Sequence, residues 1–238
     1  KKPKQAEDFC YNGLGVDQMT EIVLIRHGET SWNREKRFQG HTDIPLSERG
    51  RNQALSLARR LKADPVDAIY ASDLSRASAT AEFTAQALGL AVHRLRELRE
   101  IDFGDWEGKS VRSILTDYPL QAARWFKNPG REPIPGGETH QAIHSRLMDT
   151  LYRIVKAHPD QRVALFSHGG PIRYMLIGAL DMNPDMFWRM EIDNTSVSVL
   201  KHTDRGFLLK GINDCAHLSS WALCGDPFGD LPEMENTP

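Results

Sequence analysis

Cysteine is scarce in this chain: three residues in 238, at positions 10, 215 and 224. So odd and scattered a set builds neither a disulfide framework nor a C-x-x-C site, and it suits a reducing compartment. Long apolar runs are missing too. The longest, such as residues 22–25 and 163–166, fall far short of the roughly 20 residues a membrane-spanning helix requires, so no membrane contact is expected. No apolar stretch follows Lys1 and Lys2 before Met19, which argues against a secretory signal. Neither sign of charge is in excess: 30 Lys and Arg face 32 Asp and Glu, for a formal charge of −2. Without a basic, aromatic-interleaved patch, nucleic acid is excluded as a partner. Repeats, heptads and low-complexity blocks are absent as well.

What is there resembles an ordinary globular protein, because 40% hydrophobic residues are enough to bury a core and too many for wholesale disorder. The expectation is a cytoplasmic enzyme. The two ends differ from the middle. Residues 1–19 mix Lys, Gly, Asn and Asp without periodicity and read as a flexible extension, with Met19 placed just before the first strand-like run. Residues 219–238 carry Asp226, Asp230, Glu233 and Glu235, three prolines and no Lys or Arg, and read as an acidic tail.

Between the ends, residues 20–218 hold no linker and read as one domain. Strand-like runs at 21–26, 68–71, 91–95, 162–167, 196–202 and 207–212 alternate with helical spacing at 46–61, 74–88, 111–126, 138–157 and 172–180. Ser47 is a candidate N-cap, Gly89 a C-cap, and Pro119 interrupts the third helix. This order predicts an α/β fold, a three-layer sandwich whose central, mostly parallel sheet is flanked by helices.

Chemistry concentrates where two of these strands end. The first runs into Arg26-His27-Gly28-Glu29-Thr30 and another into Ser167-His168-Gly169-Gly170. The C-terminal ends of strands in an open α/β sheet are where ligands bind, and a Gly after the functional side chain lets a ligand approach the backbone. Arg26-His27-Gly28 resembles the R-H-G signature of the histidine phosphatase superfamily, also called the phosphoglycerate mutase-like family. The resemblance continues in order through Trp32-Asn33, Arg37-Phe38-Gln39-Gly40, Asp43 to Ser47, Ser72 to Ala77, Leu98 to Gly108 and the second His-Gly, over roughly residues 21–217.

That resemblance implies a phosphomonoesterase acting on small-molecule phosphate esters through a phosphohistidine, with no cofactor and no metal. His27 would be the nucleophile. Arg26, Asn33, Arg76, His168 and the backbone at Gly169 would bind the phosphoryl group, and Glu100 would be the proton donor. Its neighbours Asp102 and Glu107 are the alternatives, which spacing alone leaves open. Gln39, Gly40, Glu138 and His140 are expected around the substrate pocket. His140 and His144, four apart, can bind zinc in principle, but no third ligand is spaced around them and a solvated helix face is the simpler reading. Asn194-Thr195-Ser196 formally matches a glycosylation acceptor, without meaning in the absence of a signal peptide.

A phosphoglycerate mutase is the first alternative. Such enzymes carry Glu-Arg-His-Tyr-Gly where this chain has Glu100-Ile101-Asp102-Phe103-Gly104, which looks like the phosphatase branch. A noncatalytic phosphate-binding module is the second, disfavoured because binding alone needs neither His27 nor Glu100. The physiological substrate and the oligomeric state are not legible.

Overall fold

The computed structural model describes residues 19–218. The two ends expected to be a flexible extension and an acidic tail therefore fall outside the described residues, apart from Met19 itself.

Six strands form one mixed sheet in the order β3-β2-β4-β1-β5-β6, with β1 Thr20–Arg26, β2 Ala68–Ser72, β3 Val92–Leu95, β4 Arg162–Ser167, β5 Val197–Thr203 and β6 Gly206–Asp214. The first four are parallel and β5 and β6 add antiparallel pairings at one edge. Strand β1 is apolar throughout its centre because both of its faces are covered. Ile22 and Leu24 pack on one side with Leu147, Leu151 and Met175, while Val23 and Ile25 pack on the other with Leu57, Leu61 and Ala81. Those partners belong to α6 (His140–Ala157) and α7 (Gly169–Ala179) on one face, and to α2 (Glu48–Ala63) and α3 (Ser75–Leu88) on the other. The three-layer α/β sandwich predicted from the sequence is the observed architecture.

Local signals explain most boundaries. Ser47 Oγ accepts from Gly50 N to cap α2, Thr139 Oγ1 accepts from Ala142 N to cap α6, and Gly89 closes α3 at φ +71°. Pro119 does not kink one helix but separates two, α4 (Val111–Asp117) and α5 (Pro119–Lys127), occupying the first position of the second. Helix α7 begins three residues earlier than its apolar pattern suggests, at Gly169 rather than Ile172. Pro171 is tolerated there because the amides of the first turn have no intrahelical acceptor to lose. The single turn α1, Ser31–Arg34, escapes the apolar pattern altogether and depends on a capping box between Thr30 and Asn33.

Candidate active site

Strands β1 and β4 are adjacent and parallel, with Arg26 in register with Ser167. The two His-Gly ends therefore emerge side by side, and His27 N donates to Ser167 O at 3.0 Å. Strand β2 lies on the far side of β4 and feeds α3, whose second residue is Arg76. Three parallel strands thus deliver His27, His168 and Arg76 to one end of the sheet.

His27 is 2% exposed, and its Nδ1 lies 2.7 Å from Gly28 O. A carbonyl only accepts, so Nδ1 carries the proton and Nε2 is left with its lone pair. Burial, reinforced by Arg76 and Arg26, holds the imidazole well below its usual pKa and hence neutral. Only glycine fits at position 28, because a Cβ there would stand 2.5 Å from Gly50 O. The loop is pinned from below as well: Asn194 Nδ2 donates to His27 O at 2.9 Å and Thr195 N to Arg26 O at 3.0 Å.

His168 takes the opposite tautomer. Arg76 Nε donates to its Nδ1 at 3.2 Å, so the proton sits on Nε2, which is buried without a partner among the described residues. Its pKa too is pushed well below the usual value, first by burial and then by Arg76. Arg76 is fully buried and tied down by donation to Gly40 O at 2.7 Å and Thr42 O at 3.0 Å. Desolvation lowers its pKa to about 10, which still leaves it charged at neutral pH.

A cleft in front of His27 is lined by Arg26, Asn33, Gln39, Glu100 and Gly169, with Arg173 and the aromatics Phe187 and Trp188 beside them. Arg26 Nη1 donates to Ile192 O at 2.6 Å. Asn33 Oδ1 accepts from Thr30 N and from Asn194 Nδ2, which turns its amide nitrogen outward. Gln39 Oε1 accepts from Thr30 Oγ1 at 2.9 Å. Gly169 opens α7, so its amide belongs to the positive end of a helix dipole.

The acidic segment separates by geometry. Of the three candidate proton donors Glu100 alone lines the cleft, with Oε1 accepting from Ile101 N and Oε2 3.5 Å from Gly170 N. Glu107 is committed to the 40–42 loop, accepting from His41 N and Thr42 N. Gly40 sits against it at φ +46°, where any side chain would collide with Glu107. Asp102 accepts from Gly104 N within its own turn. Glu138 and His140, expected at the substrate pocket, are elsewhere. Glu138 forms a bidentate pair with Arg146, both distances 2.7 Å, and accepts from Asp102 N. Arg146 also donates to the carbonyls of Glu97, Arg99 and Glu100, so the pair braces the segment that carries Glu100. His140 contacts Tyr174 Oη at 3.1 Å and lines a separate cleft with His144. Among the described residues, no group of three or more His, Cys, Asp or Glu could hold a metal ion.

Three contributors escape motif reading. Asn194 lies in the tripeptide that resembles a glycosylation acceptor, Arg173 lies five residues beyond His168 on α7, and Phe187 lies in a 3-10 turn, Pro184–Arg189. Only the Asn-Thr-Ser sequence offered a signal, and it pointed to the wrong chemistry.

The model of the histidine phosphatase superfamily (branch 1) matches residues 22–215. Phosphoserine phosphatase 1 of Hydrogenobacter thermophilus is 35% identical over 203 residues, which covers 85% of this chain and 96% of that one. Phosphoglycerate mutase-like protein 4 of Arabidopsis thaliana is 36% identical over 227 residues, covering 94% and 97%. The solved structure of an Entamoeba histolytica phosphoserine phosphatase mutant in complex with phosphoserine superimposes with a TM-score of 0.75 at 30% identity, covering 84% of this chain and 99% of that one.

Proposed function

Because the chain belongs to the histidine phosphatase superfamily, branch 1, we propose that it hydrolyses small-molecule phosphomonoesters through a phosphohistidine formed on His27 Nε2. One observation carries this reading. The His27 proton is committed to Gly28 O while burial and two arginines keep the ring neutral, so an imidazole lone pair faces a cleft walled by cationic and N–H donors. Similarity to a phosphoserine phosphatase supports the same class of reaction.

In the first step Nε2 attacks phosphorus in line, and the bond from phosphorus to the ester oxygen breaks. Arg26, the Asn33 amide, the Gly169 N–H and His168 Nε2–H stabilise charge on the equatorial oxygens, with Arg76 behind His168. Glu100 gives its proton to the departing oxygen and the alcohol leaves. In the second step Glu100, now a carboxylate, takes a proton from water as the water oxygen attacks phosphorus. Inorganic phosphate leaves and His27 is regenerated, with both Glu100 and His27 in their starting protonation states. The three scattered cysteines favour a reducing, cytoplasmic setting.

Similarity to a phosphoglycerate mutase-like protein favours a second reading, in which the phosphohistidine passes its group to a sugar acid instead of water. Steady-state phosphate release across a panel of phosphomonoesters, with the His27→Ala protein as control, tests the proposal. Hydrolysis by the native protein alone is expected. Isomerisation of a phosphoglycerate without phosphate release would favour the mutase.

A further inference from the structure

Among the described residues, five other than glycine have positive φ: Lys36, Asp160, Asp181, Thr195 and Asn213. Thr195, at φ +59°, is the one that is β-branched and the one that is fully buried. The left-handed region is unfavourable for a β-branched residue, which stays there only where its surroundings over-determine it. Thr195 is the third residue of a turn closed by Ser196 N donating to Asp193 O at 3.0 Å, where a positive φ ordinarily calls for glycine or asparagine. From there Thr195 N reaches two carbonyls of the nucleophile loop, Arg26 O at 3.0 Å and His27 O at 3.3 Å. Glycine would reach them without strain, so the side chain needs its own explanation.

That side chain is gripped from behind. Past the end of β6 the chain turns back, with Ala216 N donating to Asp214 Oδ1 at 2.8 Å, and brings His217 Nε2 within 3.1 Å of Thr195 Oγ1. Across the ring, Arg60 Nη1 lies 3.4 Å from His217 Nδ1. A guanidinium only donates, so Nδ1 accepts, the proton sits on Nε2, and Nε2 donates to Thr195 Oγ1. The hydroxyl gives its own hydrogen to Asn194 O at 2.7 Å. Arg60 is held in turn by Asp214, its Nη2 donating to Oδ2 at 2.7 Å. The bonds therefore run one way, from α2 through His217 and Thr195 to the turn beneath His27. Burial and Arg60 bring His217 down to about 4, so the neutral ring that this series requires prevails at neutral pH.

We propose that His217 is a positioning residue for the reaction: by clamping Thr195 it fixes the backbone of Arg26 and His27, and so the line along which the His27 imidazole meets phosphorus. The proposal rests on the phosphatase reading above. His217 lines no part of the cleft, so its effect passes through the turn. The clamp matters because Thr195 is strained. Without the bond from His217 the residue relaxes toward an ordinary φ, and its N–H leaves the two carbonyls that it holds. A residue at ease with positive φ needs no such clamp.

A double-mutant cycle read in single turnovers of p-nitrophenyl phosphate tests the clamp, because the phenolate leaves without help and its release reads the attack by His27. His217→Ala should lower the limiting rate by about tenfold and leave the half-saturating concentration within about twofold of native. His217→Gln, which keeps an N–H at similar reach, should restore part of the rate. In a Thr195→Gly background, where positive φ needs no clamp, adding His217→Ala should lower the rate by less than about twofold more. Thr195→Val, which keeps the shape and loses the hydroxyl, should match the loss in His217→Ala and serves as the test should that protein fail to fold. Native rates in His217→Ala or Thr195→Val, a loss confined to the half-saturating concentration, or the full loss repeated in the Thr195→Gly background would each overturn the proposal. A native protein that releases phosphate neither from p-nitrophenyl phosphate nor from any other phosphomonoester would overturn the phosphatase reading beneath it, a result separate from those three.

Discussion

Arg76 Nε donates to Nδ1 of His168 at 3.2 Å, and that bond decides which nitrogen of His168 keeps the proton. His27 is set the other way by Gly28 O. Two neutral imidazoles, their ring centres 5.1 Å apart, therefore carry their protons on opposite nitrogens, and in the proposed mechanism one offers a lone pair to phosphorus and the other an N–H to its oxygens.

Truncating Arg76 should damage both chemistry and fold. Arg76→Ala removes a buried charge from the phosphoryl site, frees the His168 tautomer and orphans Gly40 O and Thr42 O. kcat/KM should fall by about 10²-fold or more for every substrate, and thermal unfolding should move down by an amount matching roughly 2–4 kcal/mol. Arg76→Lys, which cannot serve three acceptors in a plane, should recover little. Near-native rates in either variant would contradict the tautomer argument.

Stability should decline on the acid side of neutrality. Burial, more than any neighbouring charge, keeps His27 and His168 neutral in the fold, while burial and Arg60 bring His217 down to about 4. The unfolded chain takes up protons at these residues below about pH 6.5, where the folded chain does not. Stability is therefore unaffected by these rings above that pH and falls progressively below it, in a window that reaches down to about pH 4 for His217. Calorimetry at pH 7.5 and pH 5 should show a lower Tm at pH 5, and an unchanged or higher Tm would contradict the assignment of neutral imidazoles.

For Glu100 the test is the leaving group. General acid catalysis contributes about 10²- to 10⁴-fold, and most for the worst leaving groups. Glu100→Gln should lower kcat/KM steeply for alkyl phosphates and much less for p-nitrophenyl phosphate, whose phenolate leaves without help. The Glu107→Gln protein should show no such selectivity, since its carboxylate holds the backbone of residues 41 and 42. An equal fall for both substrates in Glu100→Gln would reject the proton-donor role.

Asn194 should act through position alone. Asn194→Ala removes the donor to His27 O and one of the donors to Asn33 Oδ1. kcat should fall by about tenfold with KM little changed, because the ground-state phosphate contacts survive while the nucleophile loses its alignment. A rise in KM at constant kcat would mean that Asn194 contributes to substrate binding instead.

The layers of the fold were legible because the alternation of strand and helix patterns and the caps Ser47 and Gly89 are written in short contiguous segments. So were His27, Arg26, Asn33 and Glu100, each inside a local motif. Adjacency was not. That Arg26 and Ser167 stand in register across 141 positions is a fact of pairing, which no spacing encodes. Glu138 read as a pocket residue, although its partner Arg146, eight residues on within α6, draws it beneath the acidic segment. Asn194 matches only a motif for unrelated chemistry, and its place in the site comes from what it touches, His27 O and Asn33 Oδ1.

Phosphohistidine is labile in acid and stable in alkali, so mixing the native protein with substrate, quenching in alkali within milliseconds and mapping the modified peptide tests the covalent mechanism directly. One phosphoryl group per active site is expected, on Nε2 of His27, appearing before or together with product and absent from His27→Ala. Phosphate release at full rate with no phosphoryl group on His27 at any quench time, or with the group on another residue, would contradict it.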